Sequence, residues 1–313
     1  MKQSLLVSIV TPSYNQAQFL EKTILSVLNQ DYPNLEYIII DGGSTDVSVD
    51  IIRKYEDRLA YWVSEHDEGQ ADAINKGWRR STGEILAYLN SDDTYEPGAV
   101  SAAVEAFSEH PEVYLVYGHL NHIDDQGRVL RQFYAPPYDL RTFIGGNITC
   151  YIRQPTAFIR RAALEKVGML YTSLHYSMDH DLFVRICRHF PAYRIPRIMA
   201  NFRYHPSSKT MSDEQEKSKN SFWPEQKALL ERVARDPEFP MDVRALAWRR
   251  IGICSYEYRD MRIARKMWIR AIPTHRSLLA DRELIYLFAK SLLGSHVVEM
   301  ASQARMKLLG WLK

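Results

Sequence analysis

The apolar run Ile85-Leu86-Ala87-Tyr88-Leu89 ends abruptly in Asn90-Ser91-Asp92-Asp93, and no other stretch constrains the chain as much. Such a short apolar run has the length of a buried strand. Pro97-Gly98 then interrupts the chain before Val100, Val104 and Phe107, which are spaced for one face of a helix. Adjacent carboxylates at the carboxyl end of a buried strand are costly without a counter-charge. A hard divalent cation bound by oxygen ligands is one compensation, and open α/β sheets hold ligands at the carboxyl ends of their strands. The plainer alternative is that Asp92 or Asp93 caps the helix that follows.

The same strand-then-polar-loop grammar recurs upstream. Leu5–Val10 reads as a buried strand followed by Thr11-Pro-Ser-Tyr-Asn15, and Leu20, Ile24, Val27 and Leu28 follow at helical spacing. Leu35–Ile40 is a second strand. It runs into Asp41-Gly-Gly-Ser-Thr-Asp46, whose glycines give backbone freedom and whose Ser, Thr and Asp suit the cap of a helix over Val47–Tyr55. Leu59–Ser64 is a third strand, Gln70–Arg80 a helix, and Val113–Tyr117 a strand after the central one. This β-α alternation predicts an α/β domain with a mostly parallel, Rossmann-like sheet, whose first, second and fourth strand-end loops share one rim. Further on, Gln154–Arg161 reads as a strand entering a helix over Ala162–Val167, Ser177–Arg185 starts a helix, and Ala192–Asn201 is a strand. Beyond Ser212 the pattern is helical, with turns near Pro224, Pro237–Pro240 and Pro273, so residues 1–212 are expected as one domain and 213–313 as a helical region.

Several function classes lose support. The loop after the first strand lacks G-x-G-x-x-G and the chain has no P-loop, which disfavours hydride transfer on a dinucleotide and ATP hydrolysis. Cys150, Cys187 and Cys254 are too far apart for a zinc cage and are expected as reduced structural thiols in a cytoplasmic protein. No cleavable leader is visible at the start, and the greasiest stretch, Leu284–Val298, is broken by Lys290 and His296, so no spanning helix is expected. From Met241 onward 14 Lys and Arg stand against 6 Asp and Glu, a net +8, which leaves −6 for the rest. That asymmetry points to an anionic surface near the C-terminal part; no nucleic-acid partner is expected.

Seven motifs occur in order: Thr11-Pro-Ser-Tyr-Asn, Asp41-Gly-Gly-Ser-Thr-Asp, Gly69-Gln-Ala-Asp-Ala-Ile-Asn-Lys-Gly77, Leu89-Asn-Ser-Asp-Asp, Gln154-Pro-Thr-Ala-Phe, Met178-Asp-His-Asp-Leu and Tyr204-His-Pro-Ser-Ser-Lys-Thr. Together, over about Leu5 to Thr210, the chain resembles the inverting family 2 glycosyltransferases of the GT-A fold. The resemblance implies a nucleotide-sugar donor, UDP-linked, lying across the rim. Thr11, Pro12 and Tyr14 would border the base and Asp41 would accept hydrogen bonds from it, the alternative for Asp41 being turn formation. Asp67, Asp72 and Asn75 would line the nucleotide and sugar, although Asp72 and Asn75 also read as helix-surface residues. Asp93 and His205 would bind Mg²⁺ or Mn²⁺ at the diphosphate, with Asp92 on ribose or sugar and Lys209 at a phosphate. Asn90 stands where many relatives carry Asp.

Asp179 matches the family's catalytic base, with Asp181 as rival and helix capping as the plain alternative; Met178 replaces the acid usual before it. The implied acceptor is a glycan on a lipid carrier in bacterial cell-surface polysaccharide synthesis. The rival readings are a sugar nucleotidyltransferase, which would want a Gly-rich basic loop after the first strand, and a nucleotide-sugar sensor. Finally, Met300, Ala304, Leu308 and Trp311 form an apolar stripe flanked by Arg305, Lys307 and Lys313. Such a helix suits an anionic membrane interface, at the inner face of the cytoplasmic membrane, or else packs on Leu284, Leu287 and Phe288.

Overall fold

The computed structural model describes residues 5–146, 151–206, 208 and 222–292. Lys209 and the stripe from Met300 to Trp311 lie outside the described residues. The chain divides into two compact units, one of Met1–Tyr138 with Cys150–Ser218 and one of Asp139–Thr149 with Lys219–Lys313.

The first unit begins β1 (Val7–Ser13), α1 (Ala17–Leu28), β2 (Leu35–Asp41), α2 (Ser48–Arg53), β3 (Tyr61–Ser64), α3 (Gln70–Arg80) and β4 (Ile85–Tyr88). These elements match the expected alternation. β1 is the hub: it pairs in parallel with β2 from Val7↔Leu35 to Ser13↔Asp41, and with β4 from Val7↔Ile85 to Val10↔Tyr88. Every residue of β1 is buried because helices cover both faces. On one face Val7 and Ile9 join Leu20, Ile24 and Val27 of α1 in the core. On the other, α3 approaches so closely that a Cβ on Gly77 would lie 2.4 Å from Val10 Cγ1.

The second half of the sheet is mixed. It adds β5 (Thr94–Tyr95), α4 (Ala99–Glu109), β6 (Leu115–Ile123) and β7 (Val129–Phe133). After the excursion of residues 139–149 come β8 (Phe158–Arg160), α6 (Arg161–Val167), α7 (Met178–Cys187) and β9 (Ala192–Arg203). The order is β3-β2-β1-β4-β8-β6-β9-β5, with β7 on β6. β8 is antiparallel to both β4 and β6, whereas β6 and β9 run parallel. Local periodicity marks β6, β8 and β9 as strands but does not select their distant partners, so the antiparallel insertion of β8 is the departure from the mostly parallel sheet expected from sequence. The β6–β7 hairpin was unread, and Gln154–Thr156 is a 3₁₀ turn leading into a shorter strand.

The second unit contains α5 (Leu140–Gly145), α8 (Phe222–Arg235), α9 (Met241–Glu257), α10 (Met261–Thr274) and α11 (Arg282–Leu292). Residues 139–149 therefore group with the C-terminal helices: Arg141 pairs with Asp242, and Gly145 abuts Leu246. Trp268 of α10 is fully buried against Gly252 of α9. Arg249 of α9 holds Asp281 at 2.5 Å and Glu283 at 2.7 Å. Pro237–Pro240 separates α8 from α9, but Pro224 lies in the first turn of α8 and Pro273 in the last turn of α10. A break at Tyr258–Asp260, with Arg259 at φ +62°, carries no proline signal.

Candidate active site

Parallel pairing brings the carboxyl ends of β1, β2 and β3 level, with Ser13 beside Asp41 and Asp41 beside Ser64. The loops beyond them are tied together. Asn15 Oδ1 accepts the Thr45 N–H at 2.8 Å, and Ser44 Oγ accepts the Asn15 N–H at 2.8 Å. With the loop after β4 and the end of β9 they enclose a cavity of about 690 Å³. Pro12 and Tyr14 line it from the first loop, Gly42 and Gly43 from the second, and Asp67, Gly69 and Gln70 from the third. Asn90, Ser91 and Asp92 line it from the loop after β4, and Phe202 and Ser208 from beyond β9. Ser13 Oγ and Gln16 Oε1, also in its wall, are buried without a hydrogen-bond partner.

The acidic pair at the end of β4 divides its labour. Asp92 reaches the cavity, and its Oδ2 lies 3.0 Å from His205 Nε2. Asp93, expected as the metal-binding acid, is fully buried and does not border the cavity. Its Oδ1 accepts the Arg203 N–H at 2.9 Å, and Asn90 Nδ2 lies 3.5 Å from its Oδ2. Burial first, and then the charge of Asp92, hold the Asp93 carboxyl well above the usual carboxylate range, while Arg203 and Asn90 pull the other way. Asn90 is a junction: its Oδ1 accepts from Gln70 Nε2 at 2.7 Å and its Nδ2 faces Gln154 Oε1 at 3.4 Å.

Arg203, which none of the sequence motifs includes, is the frame of this corner. Its guanidinium donates to the carbonyls of Asp92, Asp124 and Asp125, and it lies 4.9 Å over the Phe19 ring. His205 packs on the same ring at 4.7 Å. The only sequence signal was an arginine between a strand and Tyr204-His205.

Other expected residues are placed differently. Thr11 is fully buried and its hydroxyl meets the Tyr37 hydroxyl at 3.0 Å, so it is spent inside the sheet and does not border the cavity that Pro12 and Tyr14 line. Asp41 is fully buried and serves its own turn: its carboxylate accepts from the N–H groups of Gly43 and Ser44 and from the hydroxyls of Ser44 and Ser64. Asp72 accepts the Glu68 N–H and pairs with Lys76 at 3.4 Å, outside the cavity lining. Asn75, 2% exposed, spends both amide atoms on the backbone of Leu170, which makes it a clamp rather than a cavity residue. Asp67 lies in the wall, its carboxylate above Gly42.

Asp179, in the first turn of α7, is half-buried and accepts its neighbour His180's N–H at 2.7 Å; it does not border the cavity. Asp181 is 1% exposed and bound to Arg185 Nε at 2.7 Å. Arg185 also donates to the carbonyls of Val167, Gly168 and Met169, so this carboxylate is part of a loop anchor.

Among the described residues no three His, Cys, Asp or Glu side chains converge as a metal cage. A cation that bridges a diphosphate needs only one or two protein ligands, the rest being phosphate oxygens and water. Asp92 and His205, 3.0 Å apart, are the described residues beside the cavity that could serve as such ligands, and a cation there would offset the repulsion between the Asp92 and Asp93 carboxylates.

A family model described as Glycosyl transferase family 2 matches residues 8–168. An uncharacterised glycosyltransferase of Nostoc sp. is 32% identical over 170 residues, covering 51% of this chain and 52% of that protein. TuaG of Bacillus subtilis, provisionally named a teichuronic acid biosynthesis glycosyltransferase, is 34% identical over 164 residues, 50% of this chain and 65% of its own. The chain thus spans about half to two thirds of the length of these relatives. In fold it is similar to S. aureus TarS 1-349 in complex with UDP-GlcNAc, with a TM-score of 0.66 at 17% identity over 96% of this chain and 92% of that one. It is also similar to the mannosyltransferase PcManGT of Pyrobaculum calidifontis in complex with GDP-Man and Mn2+, with a TM-score of 0.59 at 19% identity over 93% and 81%. With the mixed sheet, its rim cavity and the helices that follow it, this chain has the GT-A fold and belongs to the family 2 glycosyltransferases.

Proposed function

We propose that the chain transfers a sugar, with inversion, from a UDP-linked donor to a hydroxyl of a lipid-linked glycan in the synthesis of a bacterial cell-surface polysaccharide. The observation that carries this reading is the cavity of about 690 Å³ at the strand ends, with the Asp92–His205 pair beside it. Tyr14 and Pro12 flank the base, and Gly42 and Asp67 bound the nucleoside side of the cavity. Asp41 acts through its turn, holding the Gly43 and Ser44 backbone in place.

Asp92 and His205 are the residues that would hold Mg²⁺ or Mn²⁺, with Asp93 and Asn90 behind them. Bound there, the cation would neutralise charge growing on the departing diphosphate. Asp179 takes the proton of the acceptor hydroxyl as that oxygen attacks the anomeric carbon from the side opposite the nucleotide. A single displacement inverts the configuration. Support for Asp179 over its rival is that Asp181 is held by Arg185.

We place the reaction at the inner face of the cytoplasmic membrane. No helix among the described residues is long and apolar enough to cross a membrane. The second unit nevertheless exposes Ile269, Leu279, Ile285, Tyr286 and Leu292 on segments that also expose Arg262, Lys266, Arg270, Arg276 and Arg282, a combination suited to anionic lipid. The test is binding and turnover with a panel of UDP- and GDP-sugars, with and without EDTA, alongside sedimentation with anionic vesicles. Saturable binding with EDTA-sensitive transfer is expected. Binding of no nucleotide sugar sinks the donor reading, undiminished transfer in EDTA sinks the cation, and indifference to vesicles at low salt sinks the membrane contact.

A further inference from the structure

One charged feature of the first unit is not used by this reading. His122 on β6 stands directly opposite Arg131 on β7 and Phe202 on β9, so the three share one face of the sheet. Phe202 lines the donor cavity. Neighbouring strands lie about 4.8 Å apart, which puts the Arg131 backbone about 10 Å from that of Phe202. Two residues along β7 on the same face, the Phe133 ring carries the Arg153 guanidinium at 4.4 Å. Tyr204 fills the space between: its ring stacks on His122 at 5.1 Å and its hydroxyl accepts from Arg131 Nη2 at 2.8 Å.

Among the described residues this face is rich in cations and poor in anions. Among the described residues neither Arg131 nor Arg153 is paired with a carboxylate. The nearby Asp124 is occupied by the Arg128 side chain and by the Gln126 and Arg128 N–H groups. Two polar atoms here are buried without a hydrogen-bond partner, Arg153 Nε and His122 Nδ1, and His122 is only 4% exposed. Burial and the two guanidinium charges pull His122 down to about 4, so it is neutral and does not add to the repulsion. A buried N–H left unbonded is costly, and guanidinium forks match the oxygens of phosphate and carboxylate.

The geometry points to an oxyanion-binding niche, formed by Arg131, Arg153 and His122, that receives a phosphate or carboxylate group of the acceptor beside the donor cavity. This rests on the glycosyltransferase reading and narrows it: the acceptor is anionic close to the hydroxyl that is glycosylated. Tyr204 is a positioning residue, since it orients Arg131.

Isothermal titration with inorganic phosphate, and separately with acetate, tests the niche on enzyme saturated with UDP so that the diphosphate site is filled. We expect saturable phosphate binding, about tenfold weaker in Arg131→Gln/Arg153→Gln, since lost charge-assisted bonds are worth at least that factor. Arg131→Lys, which keeps the charge without the fork, should fall between. UDP affinity should change less than twofold. Stronger binding of acetate than phosphate assigns the niche to a carboxylate-bearing acceptor, and the reverse to a phosphate-bearing one. Equal anion binding by wild type and double variant overturns the proposal, as does the lack of saturable binding of either anion. A parallel loss of UDP affinity also overturns it, by giving the arginines to the donor. If neither UDP nor GDP binds, the donor reading fails on its own, and the same titrations without nucleotide still decide the niche. Arg131 is exposed on an edge strand, so Arg131→Gln alone keeps the test readable if the double variant folds poorly.

Discussion

Replacing each of two neighbouring aspartates by asparagine should separate catalysis from stability on a single helix. Asp181 is 1% exposed and its Oδ2 receives Arg185 Nε at 2.7 Å. Asparagine keeps the shape and one acceptor but removes the charge that balances a guanidinium only 12% exposed. Breaking a buried pair costs about 3–5 kcal/mol. Arg185 keeps its three carbonyl acceptors at Val167, Gly168 and Met169, so the lower end, about 3 kcal/mol, is expected. For a unit of this size that lowers the melting temperature by about 6–12 °C. Asp179 is half-buried at the start of α7 and accepts the next residue's N–H, a bond that an asparagine Oδ1 can keep, so Asp179→Asn should leave the melting temperature within about 2 °C. As the general base, however, its loss should slow transfer by about 10²–10⁴-fold. The assay pairs circular-dichroism melts with initial rates of transfer at a temperature where all variants are folded. Near wild-type turnover in Asp179→Asn, or a dead Asp181→Asn enzyme with an unchanged melt, would refute the assignment.

Three further outcomes follow from the same geometry. A Cβ at Gly42 would lie 2.6 Å from Asp67 Oδ2, a mobile carboxylate end, so Gly42→Ala should displace Asp67 and weaken nucleotide binding several-fold with little change in stability; an unchanged dissociation constant would argue against Asp67 at the nucleotide. Asn75→Ala removes two buried bonds to Leu170 and should cost about 2–3 kcal/mol in urea titrations; a loss of nucleotide affinity without that cost would return Asn75 to the donor site. His122 is lowered from 6.5 to about 4 by burial and then by Arg131 and Arg153, so the unfolded chain binds the proton first and stability falls as pH drops below 6.5. From about pH 7.5 to about pH 5 this loss is about 2 kcal/mol, and His122→Gln should flatten the profile; an unaltered pH profile would count against a buried neutral His122.

What the chain determines locally is the alternation from β1 to β4 and the polar loops that close it. Val7 to Val10, Leu35 to Ile40 and Ile85 to Leu89 are apolar runs whose length and spacing specify buried strands, and short helical crossovers force them to be parallel. Once they are parallel, Pro12, Tyr14, Gly42 and Asp92 must gather at one rim, which is why the cavity could be anticipated from sequence. The motifs named residue types but not which way each side chain faces. Thr11 and Pro12 are neighbours, yet one serves Tyr37 and the other the cavity; Asp92 and Asp93 are chemically identical, yet only one reaches His205. Those choices depend on strand register and on Arg203, whose N–H takes Asp93 from 110 residues away. The antiparallel insertion of β8, the β6–β7 hairpin that brings Arg131 to His122, and the grouping of residues 139–149 with α9 are likewise pairings between distant segments. A local pattern fixes whether a segment forms a strand or a helix; its partner is selected by burial and hydrogen bonding across the assembled fold, where many registers compete and only the tertiary structure chooses among them.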